Sequence, residues 1–168
     1  MTPESAPAGQ RADRAFRPQL TFPDGPGLPV GTRILTRLGE IAVEDLQEGD
    51  HVICRRRGYV QVSGIEKRVV TGRMVRIRAG SLGKNLPAAD TVVAADQAIL
   101  VRDWHARVLH GVAEREMLAV QLVDDEFILE IGHQCRDMIR IACAEPAILY
   151  AGGLEVMAPC GASQTLPA

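Results

Sequence analysis

Pro29-Val-Gly-Thr-Arg-Ile-Leu-Thr-Arg-Leu-Gly-Glu-Ile-Ala-Val-Glu-Asp-Leu-Gln-Glu-Gly-Asp-His-Val52 packs several chain reversals into 24 residues. Arg33 to Thr36 is extended, and Arg37-Leu-Gly-Glu40 turns the chain into a second short extended run, Ile41 to Val43. Glu44-Asp45-Leu46 is long enough for one helical turn and no more. Gln47-Glu-Gly-Asp50 then reverses the direction again. Such closely spaced reversals, with β-branched residues between them, build curved antiparallel sheet and exclude a βαβ layout.

Outward from this stretch the same grammar continues. His51 to Arg55 and Tyr59 to Val62 alternate polar with apolar residues about an Arg56-Arg-Gly58 tip, the pattern of a half-buried hairpin. Further extended runs are expected at Arg68 to Val70, Met74 to Arg78, Thr91 to Ala94, Ala98 to Val101, Phe127 to Ile131, Met138 to Ala142 and Ala147 to Tyr150. Met74, Arg76 and Arg78 share one face, with Val75 and Ile77 on the other. Ala79 to Pro87 reads as an exposed loop, and Ala151 to Val156 as a last turn. Helical spacing of Val112, Glu116 and Val120 predicts one helix over His110 to Leu122. The expected class is all-β: a curved, horseshoe-type arrangement of many short strands with at most one short helix.

Composition bounds the rest. A chain of 168 residues suits one domain with a real core. Aromatics make up only 4% of it, so Ile, Val, Leu and Ala must supply that core. A net charge of −2 offers no bulk attraction for nucleic acid or an anionic membrane. Residues 1–26, rich in Pro, Gly, Ala and Ser, are expected to be a disordered tail and linker, residues 27–157 the domain, and residues 158–168 a second tail. Neither a secretory h-region nor a transmembrane run is read, so the expectation is cytoplasmic by default, with leaderless export compatible and membrane insertion not. Cys54, Cys135, Cys143 and Cys160 are irregularly spaced and read as reduced thiols.

Three blocks together carry a family resemblance: Gly31-Thr-Arg-Ile through Gly49-Asp-His-Val52; Val75 to Gly83 followed by Val93-Ala-Ala-Asp-Gln-Ala-Ile-Leu100; and Ile139 to Val156. Their order and spacing resemble a Hint domain, the module shared by hedgehog autoprocessing regions and inteins, and specifically the bacterial Hint proteins that stand in short chains. The resemblance implies self-cleavage. A Cys thiolate four residues before the Gly of the Gly-Thr pair attacks the preceding carbonyl and turns an amide into a thioester. That chemistry needs a thiol or hydroxyl at the junction, a proton carrier for the leaving amine, and donors for the oxyanion.

Here the junction position is Gly27, with no side chain at all. Thr32, which the resemblance retains, is read as lying inside the first strand and supporting packing. Where the family carries a His, the matching run is Ala94-Ala-Asp-Gln-Ala98, so Gln97 replaces it. An amide donates a hydrogen bond but does not shuttle a proton near neutral pH. Asp96 is retained and reads as a cap on the turn between two strands. Glu145-Pro146 stands where a third-block His is common, and the single Asn, Asn85, lies in a mid-chain loop where no C-terminal cyclisation can use it. The expectation is a degenerate Hint domain that has lost autoproteolysis and serves as a binding or structural module with a protein partner. The alternative is an active self-cleaving protein that uses a non-standard Cys nucleophile such as Cys143.

Other constellations carry less. His51-x-x-Cys54 and His133-x-Cys135 are halves of a zinc-ligand pattern, but His51 and Cys54 point to opposite faces of a strand, and two ligands on one face do not make a site. No metal and no cofactor is expected. Arg55 to Arg57, with Lys67, Arg68, Arg73, Arg76 and Arg78, forms a basic edge that Glu66, Asp90, Asp124 and Asp125 offset. Few aromatics are available to stack on bases, so nucleic-acid binding is not expected. Trp104 reads as a partly buried contact residue.

Overall fold

In the computed structural model, residues 25–102 and 114–158 are described. The tails expected at residues 1–26 and 158–168 lie almost wholly outside them, as do Trp104, Cys160 and the first part of the expected helix.

The stretch from Pro29 to Val52 folds as its residues dictate. Strand β1 (Leu28–Pro29) leads into β2 (Arg33–Thr36) and β3 (Gly39–Ala42), a hairpin in which Ile34 pairs with Ile41 and Thr36 with Gly39. Thr36 closes the tip: its Oγ1 donates to the Gly39 carbonyl at 2.7 Å and accepts from the Leu38 N–H at 3.2 Å. Val43–Asp45 form the single helical turn, of 3-10 type, and Glu44 reaches back to accept the Gly31 N–H at 2.8 Å. Thr32 lies just before β2 rather than inside it, because its N–H closes a turn onto the Pro29 carbonyl while its carbonyl accepts from Val43.

Strand β4 (His51–Cys54) turns through Arg55 to Arg57 into β5, which runs unbroken from Gly58 to Ile77. The runs expected to be separate at Tyr59, Arg68 and Met74 are therefore one strand. The same holds for β9 (Ile128–Cys143), which joins the runs expected at Phe127 and Met138. These two long strands pair antiparallel along nearly their whole length, with register shifts between Val62 and Gly64 and between Arg73 and Val75. Bulges of this kind bend a ribbon without ending it, so alternation breaks while pairing continues. The face reading at Met74 to Ile77 is borne out: Val75 and Ile77 enter the main core, whereas Met74 joins a small second cluster with Ala94 and Met138.

The remaining elements are β6 (Thr91–Ala94), β7 (Ala98–Arg102), β8 (Glu114–Leu118), β10 (Ala147–Ala151) and β11 (Leu154–Ala158). The helix expected over His110 to Leu122 is not found among the described residues. Glu114–Leu118 is a strand paired with β7, and only Ala119–Leu122 coils, as a 3-10 turn. Pairing with β7 satisfies the backbone groups that a helix would have used internally, so tertiary context overrides a weak periodicity. The last turn expected at Ala151 to Val156 is a hairpin, with Ala151 opposite Leu154 and β11 continuing to Ala158.

Neighbouring strands run in the order β1-β9-β5-β4-β2-β10-β11-β7-β8, with β3 on β2 and β6 on β5. All described pairings are antiparallel. The buried core is aliphatic, led by Ile34, Ile77, Ile99 and Leu149, and no aromatic side chain belongs to it among the described residues. No described helix is long and apolar enough to cross a membrane.

Candidate functional site

Gly27 enters the sheet beside β9, where Leu28 pairs with Ile139 and Pro29 with Met138. Its φ of +80° is a left-handed conformation that side chains other than glycine's rarely adopt. A Cβ built there would stand 2.5 Å from the Ile139 carbonyl oxygen and 2.8 Å from its carbon. Both atoms are backbone of a long paired strand and cannot swing aside as a flexible side-chain end could. The position is thus closed to a Cys by conformation and by space together.

Gln97 sits in the turn between β6 and β7. The turn is closed by its own N–H to the Ala94 carbonyl at 3.0 Å. The 3-10 turn of residues 119–122 docks on this corner, with Ala119 N–H on the Gln97 carbonyl and Val120 N–H on the Ala95 carbonyl, each at 2.9 Å. The Gln97 side chain is 6% exposed, and its Nε2 donates to the Ala98 carbonyl at 2.9 Å. Asp96 next to it is exposed, and its carboxylate makes no hydrogen bond among the described residues, so it does not cap the turn as expected. Backbone bonds perform that task.

Gly27, Asp96, Gln97, Glu145 and Pro146 come from three separate parts of the chain and all border one cavity of about 650 Å³. Thr32 does not border it; its Cγ2 methyl faces Gly152 instead. Sequence reasoning missed two further features. Cys54, ending β4, borders the cavity. Cys143, the thiol favoured from sequence, does not: it is fully buried in the main core. The second feature is the Arg55-Arg-Arg57 tip: Arg56 and Arg57 are exposed, as a solvated edge requires, and the tip also borders the cavity with Arg140. Arg55 Nη2 holds Glu114 Oε1 at 2.7 Å, Arg57 pairs with Glu145, and Arg140 Nη1 holds Glu66 Oε2 at 3.0 Å. The adjacency of β4, β8 and β9 that brings these groups together is long-range and leaves no local signal.

No described His borders this cavity. His51 packs edge-on against Tyr59, with ring centroids 5.3 Å apart, and His133 borders an adjoining cavity of about 530 Å³ that shares Gly25, Pro26, Asp96 and Leu118 with the first. Cys54 is buried on the opposite side of β4 from His51, as the strand alternation required. None of Cys54, Cys135 and Cys143 forms a disulfide among the described residues, and no described group of three His, Cys, Asp or Glu side chains is placed to hold a metal ion.

The geometry supplies a carbonyl wall at position 27 and a buried neutral amide at position 97. Both positions border the same cavity. A family model described as the Hint domain matches residues 26–158. The chain belongs to the Hint-domain family. A bacterial intein-like domain from Clostridium thermocellum is similar at 15% identity, with a TM-score of 0.53, over 81% of this chain and 99% of that one. A DnaB intein from Synechocystis sp. PCC 6803 is similar at 8% identity and a TM-score of 0.52, over 78% and 96%. The gp41-1 intein gives 15% identity and a TM-score of 0.50, over 80% and 99%. At such identities these likenesses establish the fold. A search among curated proteins gave no significant match. Within this Hint domain, the cavity is the place where all three departures read from the sequence converge.

Proposed function

We propose that this Hint domain, spanning residues 27–157, does not cleave its own backbone and acts as a binding module through the cavity that surrounds the former reaction centre. The observation that carries the reading is the closure of position 27. The Ile139 carbonyl occupies the volume where a nucleophile's first side-chain atom belongs. Gln97 supports it, since an amide already donating to the Ala98 carbonyl has no proton to take up or release near neutral pH. Loss of both groups removes the attacking atom and the route for the leaving amine's proton.

A reporter fused before residue 27 of the chain tests this. Incubation with dithiothreitol or hydroxylamine, which would intercept a thioester, is expected to leave the fusion whole. Reporter release at that junction contradicts the reading.

A second reading is favoured by one observation: Cys54 reaches the cavity although the family position holds no thiol. In that case Cys54 rather than Cys143 is the nucleophile of a self-cleaving protein. Any release in the same assay should then vanish in Cys54→Ala and persist in Cys143→Ala.

A further inference from the structure

We propose that the cavity beside Gly27 and Gln97 binds a small amphipathic carboxylate, its head on Arg55 and its aliphatic body along the apolar wall. This deepens the binding-module reading and rests on it. The volume of about 650 Å³ is that of a small-ligand site. Leu28, Val60, Ile141, Leu149 and Val156 form the wall, and all belong to the buried core. Such a surface favours a hydrocarbon body over a sugar or nucleotide.

Arg55 defines the head group. Its Nη2 is taken by Glu114, whereas Nη1 is shut off from solvent and has no hydrogen-bond partner among the described residues. A shielded charged donor without an acceptor is costly and rare in folded proteins, so an incoming acceptor gains by filling it. A guanidinium presents parallel N–H groups that a carboxylate matches better than a neutral oxygen does. The other charges fix the orientation. Arg57 is engaged by Glu145, Arg140 by Glu66, and Arg56 shares Glu114 at 3.6 Å. Asp96 and Glu116, also on the border, repel an anion, so the head depends on Arg55 to hold it.

Glu114, which pins the guanidinium through Nη2, therefore limits how far Arg55 can turn to meet the ligand's head. The test is calorimetric titration of the unfused chain at pH 7 with decanoate, and with decan-1-ol as its neutral counterpart. Expected is saturable one-to-one decanoate binding, tighter than the alcohol by roughly tenfold or more, the scale of a charge-assisted hydrogen bond. Arg55→Gln should remove that preference while leaving the alcohol unchanged, and Glu114→Gln, which releases Arg55, should tighten decanoate. No saturable decanoate binding overturns the proposal, as does equal binding of the alcohol or an unchanged affinity in Arg55→Gln. If Arg55→Gln fails to fold, Glu114→Gln decides alone, and unchanged or weakened decanoate binding overturns it. Backbone cleavage is read by mass in a different protein, the fusion, so failure of the inert-site reading and failure of this one are told apart.

Discussion

At residue 27 two independent constraints act on one atom: a left-handed φ and a carbonyl 2.5 Å from where Cβ would stand. Gly27→Cys should therefore fail to restore cleavage, and it should destabilise the fold by about 1–3 kcal/mol, the cost of overpacking and a strained backbone. Denaturant unfolding measures the loss, and wild-type stability in the variant would contradict the closure argument. Asp124 offers a test of another kind. Its Oδ1 accepts the N–H groups of Glu126, Phe127 and Ile128 at 2.8–2.9 Å, which clamps the loop into β9. Partial burial raises its pKa, but these three backbone donors outweigh that and hold it below the usual carboxylate range. A depressed folded pKa contributes stability above the unfolded value of about 3.9, and that contribution is lost as pH falls through the folded value. Asp124→Ala should cost about 1 kcal/mol at pH 7, modest because the site is exposed. The difference from wild type should shrink on acidification below about pH 4. Melting midpoints at pH 7 and in acid check both statements.

Elements show most clearly what could be read ahead of the coordinates. The β2–β3 hairpin was legible because Gly39, Thr36 and alternating Ile34 all speak locally. That alternation carries a strong asymmetry: Ile34 is 0% exposed and Leu38, at the tip, 97%. Ile34→Ala should cost about 2–5 kcal/mol and Leu38→Ala less than about 0.5 kcal/mol. Chemical denaturation of the two variants measures this, and comparable losses would mean the hairpin faces the other way. The long ribbon of β5 and β9 was read as fragments because its bulges interrupt alternation without interrupting pairing. Residues 114–118 were read as helix because Glu116 and Val120 fall at helical spacing, whereas pairing of Leu118 with Ala98 and Met117 with Ile99 makes this segment a strand. Only partners distant in sequence decide such a case.

For the whole molecule, the family was legible in three blocks by their order and spacing, and Gly27, Asp96, Gln97 and Glu145 are placed by their offsets from or within those blocks. Their gathering around one cavity was not visible, nor was the arrival of Cys54 and Arg55 there, because sheet order sets both. Cys143 illustrates the converse: its strand was placed correctly, but its direction into the core depends on the register with Val62 across the ribbon. We propose that backbone cleavage has no starting point here. The most direct measurement is intact mass over several days of a reporter fused before residue 27, in the wild-type chain and in Gly27→Cys/Gln97→His. The account predicts that both remain a single unbroken mass. A pair of fragments dividing between residues 26 and 27, in either protein, would contradict it.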